Sequence, residues 1–184
     1  MSSLVEEAIE VLYAAKVPLA PGLSPWQIED VEEQFSFEFS PDHARFLSLA
    51  VPIGPKWVDW LGDPAGIQKR LDGPRDGVLF DVRENAFWPE EWGDRPLDVG
   101  VAVQAAREQL RAVPVLIPIY SHRFMPAAPA PAGSPVFSVH QTDVIYYGSD
   151  LVSYFQSEFF NNPDRTSPMH RVDFWSDLAE GRWV

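Results

Sequence analysis

Val115-Leu116-Ile117-Pro118-Ile119-Tyr120 decides how this chain reads, because the apolar period changes there. Upstream, apolar residues recur at helical spacing; from Val115 onward they follow the two-residue period of strands. The segment predicts a strand, and its internal Pro118, which cannot donate to a ladder, places it at a sheet edge or a bulge. Val136 to His140 and Val144 to Tyr147 predict a hairpin around Gln141-Thr142-Asp143. The stretch PAAPAPAGSP, Pro126 to Pro135, reads as an extended, solvent-exposed loop. Gly148-Ser149-Asp150 then turns the chain into an amphipathic helix, Leu151 to Phe160, capped by Ser149 or Asp150. After a turn-rich loop, Asn161 to Pro168, a last segment carries Val172, Phe174, Trp175 and Leu178.

Working back toward the N-terminus, Leu97 to Val113 predicts a helix with Val101, Ala105 and Leu110 inward, closed by Pro114. Pro89 to Pro96 is a tryptophan-bearing loop, and Gly77 to Trp88 fits helix or strand equally. Asp63-Pro64 opens a helix through Leu71. Ser24-Pro25-Trp26-Gln27 is a helix start with a capping serine, proline at the first position and glutamine three residues after the cap. Ser40-Pro41-Asp42 repeats the signal. Trp26, Ile28, Val31, Phe35, Phe39 and Phe46 are the expected inward positions of these two helices. Leu4 to Ala15 predicts a first helix with Leu4, Val5, Ala8, Ile9 and Leu12 inward. Helices first and strands grouped over 115–147 give an α+β class: a single domain, 1–184, with N-terminal helices packed on a mixed or antiparallel sheet and a C-terminal helix over 150–160.

The 184 residues suffice for one core, and 46% hydrophobic content supports it. With no cysteine, disulfides, thiolate metal sites and cysteine nucleophiles are excluded. A formal charge of −13 disfavours nucleic acid as a direct partner, since phosphate binding draws on clustered lysine and arginine. The charge is concentrated: residues 1–92 carry 17 acids and 7 bases, residues 93–184 carry 10 and 7. Between Trp26 and Asp42 lie Glu29, Asp30, Glu32, Glu33, Glu38 and Asp42 without a single base. Such a run is either a solvated helix face or a docking surface for a cationic partner. No apolar stretch approaches the ~18 residues of a membrane span. The start, MSSLVEEAIE, lacks the basic and apolar regions of a signal peptide, so a cytoplasmic protein is expected.

Several of these stretches resemble the SUKH superfamily, which includes fungal cell-wall-synthesis regulators of the Smi/Knr type and many bacterial proteins. The resemblance rests first on the Ser24 helix start, the acidic helix ending at Phe35 and the Phe39-Ser40-Pro41 turn into a helix with Phe46 and Leu47. Leu116 to Tyr120, His122-Arg123-Phe124, Pro135 to Val139, Asp143 to Gly148 and Asp150-Leu151 are similar to a bacterial branch. It spans about residues 22–160 and is most specific over 116–155. The resemblance implies a mixed sheet flanked by helices and a binding role without shared catalytic residues. Bacterial members look like immunity proteins that neutralise toxins, often nucleases; fungal members look like regulatory interaction proteins.

Residue chemistry offers alternatives. His122, His140 and Asp143 are types that ligate zinc or iron, although their spacing fits no short metal motif. Ser138 and His140 share a strand face, and Asp143 or Asp150 could orient the imidazole of a hydrolase, but no Gly-x-Ser-x-Gly elbow is present. Glu90 and Glu91 beside Trp88 and Trp92 suggest a carbohydrate subsite or a loop pinned to the core. Tyr120, His122, Arg123, His140, Gln141, Asp143, Tyr146 and Tyr147 have the composition of an interface, and equally of a sheet–helix seam in which Arg123 pairs with Asp143 or Asp150. The expectation is a non-enzymatic binding protein, with no cofactor, that meets a protein partner such as a basic toxin through Glu29, Glu32, Glu33 and this polar set. A hydrolase around His122, His140 and Asp143, or a housekeeping interaction scaffold, is the alternative.

Overall fold

A computed structural model describes residues 3–164 and 166–183. The change of period at Val115 marks the change of structure. Helices α1 (Leu4–Ala14), α2 (Pro25–Phe35), α3 (Pro41–Leu49), α4 (Pro64–Glu84) and α5 (Val99–Leu110) precede the main sheet. The sheet is antiparallel, in the order β3-β4-β5-β6, where β3 is Leu116–Tyr120, β4 Arg123–Pro126, β5 Val136–His140 and β6 Asp143–Gly148. Helices α6 (Leu151–Phe160) and α7 (Trp175–Ala179) close the chain. The α+β class holds, and Pro118 lies in the edge strand β3, where its missing donor is tolerated. A second, two-stranded sheet pairs β1 (Leu19–Pro21) with β2 (Ala50–Pro52). At three residues each, with prolines in both, these strands carry no period long enough to read in sequence.

Strand alternation splits the core across the main sheet. Ile117, Ile119, Met125 and Val136 point into one cluster, with α1, α3 and α6 above them. Leu116, Phe124, Phe137, Val139 and Val144 point into the other, filled by the second half of α4, α5 and α7. Each strand serves both layers, so both faces of the sheet are buried.

Three sequence expectations are corrected. Asp72-Gly73-Pro74 does not end α4, which runs on to Glu84, so that the ambiguous 77–88 stretch is helix as far as Glu84 and loop beyond. Ile67, Leu71, Pro74, Val78 and Val82 form one buried stripe, and packing of that stripe outweighs the helix-breaking proline. In α5 the inward residues are Ala102, Ala106 and Leu110, while Val101 is exposed and Ala105 only half-buried. Asp98 caps the helix by accepting the Val101 N–H at 2.9 Å, and the buried set Ala102, Ala106 and Leu110 recurs every four residues. The 126–135 segment is not a free exposed loop either: Pro126, Ala127, Ser134 and Pro135 are buried.

Candidate functional site

The acidic run is displayed by α2, and its geometry starts at the cap. Ser24 accepts the Gln27 N–H, and Gln27 returns its side-chain oxygen to the Ser24 N–H at 2.9 Å. Val31 is the buried residue of α2, with Ile28 and Phe35 half-buried beside it. At about 100° per residue, Trp26 falls roughly 140° from Val31, between Asp30 and Glu33. Trp26 is accordingly 67% exposed, which corrects its expected inward position. Glu29, Asp30 and Glu33 are exposed around it.

The same face is extended by the 126–135 segment. Ala128 donates its N–H to the Glu38 carbonyl at 2.9 Å, and Gly133 donates its N–H to the Asp42 carboxylate at 2.6 Å. These bonds lay Ala128 and Pro129 against the end of α2, leaving an open groove of about 590 Å³. Its walls hold Glu29, Glu32, Glu33 and Glu38 over an apolar floor from Phe37 and Pro129. Two acids have other duties. Asp42 is buried, contrary to the expectation that it faces water, and Glu32 accepts the Phe39 N–H at 2.8 Å.

The polar set of the sheet is divided by strand alternation. Tyr120, Arg123 and Tyr147 lie on the face covered by α6, and Tyr146 lies on the other, where its hydroxyl donates to Glu180 at 2.9 Å. Burial and the nearby Glu180 carboxylate raise the Tyr146 pKa. Arg123 is buried, which removes it from any partner surface. It bonds Glu158 of α6 at 3.0 Å and Ser138 at 3.0 Å, and its guanidinium stacks 3.8 Å from the Tyr147 ring centre. Its carboxylate partner is therefore Glu158, rather than Asp143 or Asp150. Tyr120 packs against Trp57 and Phe159 at 4.7 and 5.6 Å. Gln141 sits with its Cα close to Gly77 of α4, and the next residue, Thr142, donates its N–H and hydroxyl to Asp81 at 2.9 and 2.6 Å.

His122, His140 and Asp143 remain at the hairpin ends, all exposed. His140 and Asp143 are paired across the β5–β6 turn, while His122 contacts Ser121 Oγ through Nδ1 at 3.2 Å. Partial desolvation and the Arg123 charge lower the His122 pKa. Ser138 Oγ accepts from Arg123, so it is tied into the structural ion pair and not poised for nucleophilic attack. Among the described residues, no three histidine, aspartate or glutamate side chains gather as a group fit to hold a metal ion. Among them too, no helix is long and apolar enough to cross a membrane.

Comparison with known proteins finds no match: no family model, no curated protein and no solved structure resembles the chain closely enough to register.

Proposed function

We propose that the chain is a non-enzymatic protein-binding module that takes a basic protein surface on α2 and its adjoining groove, in the manner of the immunity proteins its sequence resembles. The observation that carries this reading is Trp26, a large aromatic side chain left 67% exposed among Glu29, Asp30 and Glu33. An exposed tryptophan is a poor solvated-face residue and a good interface anchor. Carboxylates around it steer a cationic partner and favour its approach. The groove beside them offers an arginine or lysine both parts of what its side chain needs: carboxylates for the head, and Phe37 and Pro129 for the apolar stem. A toxin nuclease is one partner with suitable chemistry, because its substrate cleft is basic.

The enzyme alternative has less support. Ser138 is engaged by Arg123, and His122, His140 and Asp143 are exposed at the hairpin ends. The binding reading is tested by surface substitutions that spare the fold. Glu29→Lys with Glu33→Lys reverses charge at two exposed positions, and leaving Glu32 intact preserves its bond to the Phe39 N–H. The double variant should fold normally and lose a partner captured by the wild-type chain; full retention of that partner contradicts the proposal.

A further inference from the structure

On the other side of the main sheet from α2, the C-terminal segment closes over the tryptophan-bearing loop. Residues Glu90–Trp92 form a 3-10 turn, and the Trp92 ring stacks on Phe174 with centroids 5.9 Å apart and planes 3° from parallel. Trp88 meets Trp92 edge-on at 5.2 Å and donates its indole N–H to the Gly93 carbonyl at 2.7 Å. Trp183 packs on Phe87 at 5.0 Å yet keeps 36% of its surface exposed. Between the turn and this segment lies a largely enclosed cavity of about 130 Å³, walled by Phe174, Trp183, Glu90, Glu91, Asp177 and Arg182. For scale, about 150 Å³ accepts a benzene-sized guest.

The wall charges are not equivalent. Asp177 is paired with Arg171 at 2.5 Å, and Arg182 with Glu180 at 3.0 Å. Among the described residues, neither Glu90 nor Glu91 has a basic side chain within ion-pair distance. The unbalanced charge at the cavity is thus negative, and it sits beside the Phe174 and Trp183 side chains, whose rings attract cations through their quadrupoles. A guest must be small, cationic and apolar in its body.

We propose that this cavity, between the Glu90–Trp92 turn and the Phe174–Trp183 segment, binds an alkylammonium group. That chemistry is shared by the side chain of a lysine and by a small free quaternary amine. Neither source depends on the reading of α2, since the cavity belongs to the opposite layer of the core. The adjacency of Glu90 and Glu91 to two tryptophans also suggests a sugar, but a sugar ring with its hydroxyls needs an open platform more than a cavity of this size.

The test is an NMR titration of the full chain with Nα-acetyl-lysine amide, with choline and with methyl glucoside. Saturable shifts of the Trp92 and Trp183 indole N–H signals, with a dissociation constant in the millimolar range, are expected for one or both amines. Tighter binding of the lysine derivative assigns the cavity to a side chain; tighter binding of choline assigns it to a free amine. Glu90→Gln with Glu91→Gln should weaken the amine about tenfold by removing the unbalanced charge without altering shape. Trp183→Ala should weaken it as well. Absence of saturable shifts, binding of methyl glucoside alone, or affinity unchanged in the double glutamine variant would overturn the proposal.

Discussion

The Asp42 carboxylate accepts the Gly133 backbone N–H at 2.6 Å, joining α3 to a loop 91 residues further along the chain. Together with the bond from Ala128 to Glu38, it holds Pro129 where it lines the acidic groove. Removing the carboxylate would leave the Gly133 N–H without its acceptor. Asp42→Ala should therefore cost about 1–3 kcal/mol in urea unfolding, with Asp42→Asn recovering most of it through the remaining oxygen acceptor. Equal stability of the alanine variant and wild type would show that the loop is not held by this bond.

Arg123 and Glu158 tie β4 to α6 in a site where their side chains are only 9% and 17% exposed. Removing one partner strands the other charge. Arg123→Ala should destabilise by about 3 kcal/mol, whereas Arg123→Met combined with Glu158→Leu should regain most of the loss. A double variant no more stable than Arg123→Ala would mean that packing on Tyr147, and not charge pairing, is what Arg123 supplies.

The His43 ring is fully buried against Phe39 and Trp60, with centroids 4.8 and 6.2 Å away. Burial pushes its pKa from 6.5 down to about 3. The unfolded chain consequently takes up this proton first, so stability is full above about pH 6.5 and falls as the pH drops toward 3. Below the unfolded pKa the slope approaches about 1.4 kcal/mol per pH unit for this group. His122, also lowered, adds a smaller dependence of the same sign over the same range, and the lowered carboxylates Asp81 and Glu180 act in that direction near pH 4. Urea midpoints between pH 7 and 5 should thus fall for wild type and flatten in His43→Leu. Parallel pH profiles would place the dependence elsewhere.

Much of this architecture was legible in the sequence. Ser24 with Gln27 announces its capping box, Pro118 an edge strand or bulge, and Ser149-Asp150 the start of α6, which Asp150 caps, because each signal acts through neighbours within a few residues. What escaped depends on distant chain. Nothing local tells that α4 carries through Pro74, since the stripe that sustains it is defined by its packing partners. The site shows the same division. Glu29 and Glu33 are recognisable as surface charge, but Trp26 reads as inward because an aromatic at helix spacing is usually core, whereas the face that packs is centred on Val31. Arg123 was recognisable as polar, yet its partner Glu158 lies 35 residues away with no spacing rule to connect them. The burial of Asp42 required the loop that covers it.

If Trp26 anchors a partner, Trp26→Ala should weaken that complex by about 2 kcal/mol, a roughly thirtyfold loss, while changing unfolding stability little because the ring is solvated in the free chain. Raising salt should slow association with much less effect on dissociation, as expected for steering by Glu29, Asp30 and Glu33. Stopped-flow association rates across ionic strength check this. A rate independent of salt would reduce the acids to a solvated face.

The most direct test of the α2 face is a paired affinity capture from the native host, with the wild-type chain and the Glu29→Lys, Glu33→Lys variant as baits, read by quantitative mass spectrometry after both baits are shown to unfold at the same urea concentration. A basic protein recovered by wild type and lost from the variant is the predicted result. The same partners recovered in the same amounts by both baits, or none recovered by wild type, would contradict it.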